Sequence, residues 1–240
     1  MTTRIAPFVF AAALLGACGG SAAVATASPA PTTAATQAAS TPTTAPAATA
    51  TTATTATAAA STWTVSSASK AVVSVREQLV GVSLPSDAVL TATGGAGAFS
   101  LKSDGAFSTD SKITFDLTTL SSDSRDRDNF VKQDTLNTRQ FPKAEFVPTK
   151  TSGLSLPLAS TGTFTFALTG NLAIHGKTKE VTFNVVAKRN GADLTATATL
   201  APTVKFGDFG MSPPSVPFRV VSVVDEIRIV VELAATGAAA

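Results

Sequence analysis

The sequence predicts an all-β fold, with about eight amphipathic strands in one antiparallel sheet that closes into a barrel and one short helical excursion. Three observations carry this reading. Apolar and polar residues alternate at period two in segment after segment, which places them on opposite faces of extended chain. Tight-turn chemistry joins neighbouring segments, and only one stretch shows helical spacing. In chain order, Trp63 to Val65 and Ala71 to Val75 are the first short strands. Ala88 to Leu101 follows, interrupted by Gly94-Gly95, and then Ser111 to Leu117. From Ser124 to Arg139 the apolar residues Phe130, Val131 and Leu136 fall at helix-like spacing. Ser121, Ser122 or Asp123 can cap this helix, and Phe141-Pro142 ends it.

Strand character resumes from Ala144 to Thr149. Between Thr163 and Ile174 the even positions Phe164, Phe166, Leu168, Leu172 and Ile174 are apolar, whereas Thr163, Thr165, Thr169 and Asn171 are polar. Val181, Phe183, Val185 and Ala187 repeat the pattern, as do Leu194, Ala196, Ala198 and Leu200. Asn190-Gly191-Ala192-Asp193 joins those two as a hairpin. The last strand alternates most cleanly, with Ile227, Ile229, Val231 and Leu233 against Glu226, Arg228 and Glu232. A sheet with one apolar face must close or stack to cover its edges. Hairpin connections with one helical plug favour an up-and-down barrel over a sandwich, and eight strands enclose room for side chains or one small ligand.

Composition bounds what such a domain does. Trp63 to about Ala235 carries 17 Lys or Arg against 16 Asp or Glu, interleaved along the chain. The absence of a basic cluster argues against a nucleic-acid partner. The chain has 14 Phe and no Tyr, a balance suited to interiors where a phenolic hydroxyl would lack a partner.

The segment ahead of the domain reads as an address and a tether. Residues 1–17 contain Arg4, then an apolar run from Phe8 to Leu15, then small residues, as in a secretory signal peptide. The run is too short to span a bilayer. Leu15-Gly16-Ala17-Cys18 resembles the bacterial lipobox, which implies a lipid on Cys18 and cleavage before it. An ordinary signal peptide that happens to contain Cys18 is the other reading. Cys18 is the chain's only cysteine, so the exported fold has no internal disulfide. From Gly19 to Thr62 the chain is almost wholly Ala, Thr, Ser and Pro with no charge. Residues 18–62 are therefore expected to form a disordered tether, with a root-mean-square reach of roughly 35 to 40 Å. Residues 236–240 read as a flexible tail. Gly19 after the modified Cys lacks the Asp that retains lipoproteins on an inner membrane, so the expected location is the periplasmic or cell-surface side of the envelope.

Four motifs in register resemble the YceI family of exported lipid-binding proteins. They are Arg127-Asp128-Asn129-Phe130, then Phe141-Pro142 with Ala144 and Phe146, then Gly170 through Lys179 with Val181, and finally Asp208-Phe209-Gly210-Met211. The resemblance covers 63–235 and implies a lipocalin-like eight-stranded barrel whose interior holds a polyisoprenoid, an isoprenoid quinone or a fatty amide. No other cofactor is implied. Family members often carry a His in the second strand, near where Arg76 stands here, and the loop through Leu84-Pro85-Ser86-Asp87 is longer. Ligand identity is therefore not carried over.

On this reading the ligand contacts are Phe115, Phe164, Phe166, Leu168, Phe183, Val185 and Ile229 on inward faces. Arg127 and Asp128 either meet a polar head at the barrel mouth or form a surface ion pair of small worth. Plain core packing accounts for the apolar set equally well. His175, the only histidine, sits beside Gly176 as a turn residue. No nucleophile stands with a base and no phosphate loop is present, so an enzyme ranks third, with Asp116 and Glu145 as its only candidate acid/base pair. A membrane-tethered carrier of an apolar lipid ranks first. A filled scaffold acting through its outer surface is the alternative.

Overall fold

The computed structural model describes residues 61–237. Cys18, the segment 1–17 and residues 18–60 and 238–240 lie outside the described residues. Ten strands form one sheet: β1 (Ser61–Val65), β2 (Lys70–Leu79), β3 (Ser86–Thr93), β4 (Ala96–Leu101), β5 (Lys112–Asp116), β6 (Lys143–Ser152), β7 (Thr161–Ile174), β8 (Lys177–Asn190), β9 (Asp193–Leu200) and β10 (Val220–Gly237). All pairings are antiparallel. The order β1-β4-β5-β6-β7-β8-β9-β10 closes through β10 onto β1, giving a barrel of eight strands.

The two remaining strands extend this barrel at one end. β10 pairs first with β2, from Val220 to Glu232, and then with β1, from Ala235 to Gly237. β3 lies on β2 as β4 lies on β1. Two staves of the barrel are thus each made of two consecutive strands, broken near Ser66 to Ser69 and at Gly94-Gly95. At the first break the buried Ser69 hydroxyl donates to the Ala234 carbonyl at 3.1 Å and accepts from the Ala234 N–H at 3.0 Å. A side chain thereby takes the place of a ladder rung and satisfies the Ala234 N–H and carbonyl. In β1, Ser61 and Thr62 pair with Leu101 and Ser100, and Gly237 of β10 pairs with Trp63.

The β7–β8 connection is a two-residue turn in which His175 (φ 50°) and Gly176 (φ 71°) are both left-handed. That geometry matches the right-handed twist of the flanking strands. A side chain at 176 would also meet the Phe141 ring, 2.7 Å from an added Cβ.

The helical excursion is shorter than its spacing predicts and differently capped. Helix α1 (Arg125–Phe130) is capped by Ser124, whose Oγ accepts from the Arg127 N–H at 3.4 Å, not by Ser121, Ser122 or Asp123. A wider π-type turn (Val131–Thr135) follows, closed by the Leu136 N–H on the Val131 carbonyl at 2.8 Å. The helical path stops there rather than at Phe141-Pro142, because Asn137 turns left-handed (φ 46°), a conformation Asn tolerates better than most residues.

Two apolar clusters divide the interior. The larger fills the barrel with Trp63, Phe99, Phe146, Phe183, Val185 and neighbours. Its rings pack in favoured geometries, Phe146 edge-on to Phe183 at 5.3 Å and Trp63 stacked on Phe99 at 5.5 Å. Arg189 closes this end, its guanidinium 5.4 Å from the Trp63 ring and donating to the carbonyls of Gly191, Leu158 and Ala159. The smaller cluster, including Leu90, Phe115, Leu117, Leu120 and Leu136, seats the helical excursion against β3 and β5. Among the described residues, no helix is long and apolar enough to cross a membrane.

Candidate ligand-binding site

Where β2, β3 and the first part of β10 extend past the packed core, the interior is unfilled. A cavity of about 770 Å³ lies between these strands, the excursion carrying α1, and residues 206–219. Its size falls in the upper range for small-ligand sites. Strand alternation builds one wall: Val73, Val75, Glu77 and Leu79 all point inward from β2, opposite Ile227 and Ile229 of β10. Leu120, Phe130, Val131 and Leu136 supply the helical wall. β10 flares here because its register slips between Val223 and Ile227, which span four positions while their partners Glu77 and Val75 span two. The extra residues include Asp225, whose carboxylate accepts from the Phe206 N–H at 2.9 Å and anchors the loop that forms the cavity's third side.

Charged side chains interrupt this apolar lining, and the most shielded of them form one ion pair. Glu77 is 7% exposed, and its Oε1 accepts from Arg127 Nη2 at 2.8 Å. Arg127 also donates to Asp123 and, at 3.4 Å, to the Ser122 hydroxyl. The Ser122 hydroxyl in turn donates to Asp128 at 2.7 Å. Arg127 and Asp128 therefore do not pair with each other; Arg127 reaches inward and Asp128 braces the start of its own helix. A second pair, Arg219 with Asp126 at 2.7 Å, ties α1 to the segment before β10 at the surface.

The loop at 205–210 is fixed by its own capping. Asp208 accepts from the Lys205 N–H at 2.8 Å and pairs with Lys179 at 2.6 Å. The Lys179 ammonium, aided by the Lys205 N–H, holds the Asp208 carboxyl below the usual carboxylate range. Phe209 is wholly buried, and His175 Nδ1 lies 3.3 Å from its carbonyl with its ring edge-on to Phe141. His175 is thus a turn residue that also clamps the β7–β8 hairpin to this loop. Asp116 accepts from the Thr118 hydroxyl and N–H, which hold its carboxyl below the usual range, while Glu145 pairs with Lys112 at 3.3 Å. These contacts engage each carboxylate separately.

The family model for the YceI-like domain matches residues 63–235. The chain belongs to the YceI-like family. Curated relatives include a UPF0312 protein of Pseudomonas putida, 36% identical over an alignment of 124 positions that covers 46% of this chain and 61% of that protein. A UPF0312 protein of Pseudomonas fluorescens matches with the same identity and coverage. The match thus spans less than two thirds of those relatives' length. Among solved structures, a polyisoprenoid binding domain from Saccharophagus degradans superposes with a TM-score of 0.55 at 11% identity, covering 72% of this chain and 97% of that one. Burkholderia cenocepacia BcnA superposes with a TM-score of 0.51 at 20% identity, covering 70% and 96%. At these identities the likeness is one of fold, and it agrees with the antiparallel barrel expected of a YceI-like domain.

Within this YceI-like barrel the nine expected ligand contacts separate into two groups. Ile229 and Arg127 line the cavity. Phe183 and Val185 are buried in the larger core cluster, Phe166 and Leu168 pack against it, and Phe115 belongs to the smaller cluster. Phe164 is half-buried on β7, and Asp128 faces Ser122. The reason is that β6 to β9 surround the part of the interior that aromatic side chains fill. Glu77, Leu79, Val216 and Met211 line the cavity and are not among the nine expected contacts. The signal for Glu77 was present: it is the one charged residue in the inward series Ala71, Val73, Val75, Glu77, Leu79.

Proposed function

We propose that this chain is an exported, membrane-tethered binding protein that holds a long apolar amphiphile in the cavity beside α1. The single observation that carries the reading is that a volume of about 770 Å³, walled by aliphatic strand residues, stays open beside a core that is otherwise tightly filled. Burial of alkyl or isoprenoid surface there is worth roughly 25 cal/mol per Å², and the largely shielded Glu77–Arg127 pair offers a polar head charged contacts in the lining. Support also comes from the fold neighbour in Saccharophagus degradans, which is described as polyisoprenoid binding. The proposed role is carriage or storage rather than catalysis. A lipid on Cys18 holds the barrel near a membrane, on the outer side of the cytoplasmic membrane.

The test is to purify the full chain gently, extract it with organic solvent and identify what is released by mass spectrometry. One amphiphile in near-equal amount to protein is the expected result. A chain that is empty and takes up no polyprenol, isoprenoid quinone or fatty amide overturns the proposal.

A further inference from the structure

Exposed apolar side chains gather at the rim of this cavity. Val80, Val82 and Leu84 stand on the β2–β3 hairpin, and Phe218, Val221 and Val224 on the segment entering β10. The two lobes adjoin: the Val80 N–H donates to the Arg219 carbonyl at 3.0 Å, and Val220 pairs with Leu79. Leu84 is 74% exposed and Phe218 95%. Scattered apolar residues on a surface need no explanation, whereas a contiguous set beside a cavity marks an interaction site. Phe218 is also left-handed (φ 63°), a conformation that costs a bulky residue free energy, and it leaves the side chain exposed at the rim.

Charge is nearly absent from the two lobes. Val80 to Ser86 contains no charged residue, and Ser212 to Val224 contains only Arg219, already paired with Asp126. Val80, Val82 and Phe218 line the cavity as well as its rim, so apolar side chains run from inside to outside beside the Arg219–Asp126 pair. A rigid protein partner seated there would seal the cavity. A fluid hydrocarbon layer covers the same residues and still lets a chain pass.

We propose that the two lobes insert into the surface of a phospholipid bilayer, with Phe218 and Leu84 deepest, so that the cavity opens directly to the acyl layer. This rests on the reading of the cavity as an amphiphile site and adds the route by which ligand enters. β1 meets β10 at Ala235 to Gly237, the end away from Val220, so the described chain begins at the end opposite the mouth. The stretch from Cys18 to Ser61 extends at most about 140 to 155 Å, more than the roughly 60 Å of β10. An anchor at Cys18 therefore leaves the mouth free to face the membrane.

Trp63, the only tryptophan, is 2% exposed in the packed core, which makes a direct test available. The full chain carrying Phe218→Trp is mixed with vesicles of brominated phosphatidylcholine, with the parent chain as reference. Insertion predicts strong quenching of the new tryptophan and none of Trp63. Leu84→Ser added to F218W should remove most of that quenching, an effect of about tenfold on insertion. Adding phosphatidylglycerol or raising salt should leave it unchanged, because the one charge in the lobes, Arg219, is already neutralised by Asp126. The proposal is overturned if F218W is quenched no more than the parent, or if quenching requires anionic lipid. It is equally overturned if the tryptophan is shielded without quenching while the mass doubles, since a second copy then covers the rim. Solvent extraction of the same samples separates the two readings: unquenched F218W that still yields its amphiphile sinks the docking surface alone.

Discussion

Arg127 Nη2 donates to Glu77 Oε1 at 2.8 Å, and this contact joins helix α1 to the inward face of β2 across the cavity. Both side chains are largely shielded, at 20% and 9% exposure. Removing Arg127 leaves the Glu77 charge facing an apolar space, removing Glu77 leaves Arg127 to Asp123 and Ser122 alone, and removing both takes the pair out of the lining. Arg127→Leu or Glu77→Leu alone should therefore destabilise by about 1–3 kcal/mol. The double variant should cost less than the sum of the two. Urea midpoints of the four proteins check this, and strict additivity would mean the pair carries no coupling.

Cavity wall and packed core should respond differently to substitution. Ile229→Phe puts a ring where space is open, so it should block ligand uptake while shifting stability by no more than about 1 kcal/mol. Phe183→Ala empties a packed position and should cost about 3–5 kcal/mol, with ligand uptake retained by the folded fraction. Phe166→Leu, also outside the cavity lining, should alter stability modestly and binding not at all. Uptake of a fluorescent polyprenol analogue, measured beside thermal unfolding, distinguishes the three.

Much of the barrel was legible because alternation at period two is a local signal. Each strand from Trp63 to Leu233 announces its buried face, and His175-Gly176 and Gly191-Ala192 mark hairpins by their turn chemistry. The cavity was not legible, since an inward Phe183 filling a core and an inward Val75 lining a void have the same parity. Which end of the barrel stays open depends on the register slip in β10 and on where the excursion docks, and both are long-range properties. The cap falls on Ser124 and on none of Ser121, Ser122 or Asp123, the three candidates in the sequence, and the Ser122 hydroxyl is drawn off to Asp128. Asn137 was missed as a stop because its left-handed conformation belongs to a turn in which the Gln140 and Phe141 N–H groups both donate to its carbonyl at 2.9 Å.

Gly176 and Gly191 share a left-handed backbone yet differ in surroundings. An added Cβ at 176 meets the Phe141 ring at 2.7 Å, while one at 191 meets nothing within 4 Å. Gly191→Ala should cost only the backbone penalty, about 1–2 kcal/mol. Gly176→Ala should cost more, since Phe141 must shift and with it the contact to His175. Chemical denaturation of the two variants checks the order, and equal losses would show that the Phe141 ring moves freely.

Acid should weaken the fold through specific carboxylates. Asp208 is held low first by the Lys179 ammonium and then by the Lys205 N–H, and Asp87 first by Arg228 and then, against the opposing effect of burial, by Arg76. A carboxylate whose folded pKa lies below its unfolded value of about 3.9 stabilises the fold fully above that value. The contribution is lost as pH falls through the folded pKa, so the effect belongs to the window below about pH 4. Asp208→Asn keeps an acceptor for the Lys205 N–H but removes the charge that faces Lys179. It should lower the unfolding temperature at pH 7 and flatten its decline below pH 4. Parallel curves for variant and parent across that window would show that the Lys179–Asp208 pair, at 2.6 Å and partly exposed, contributes no proton-linked stability.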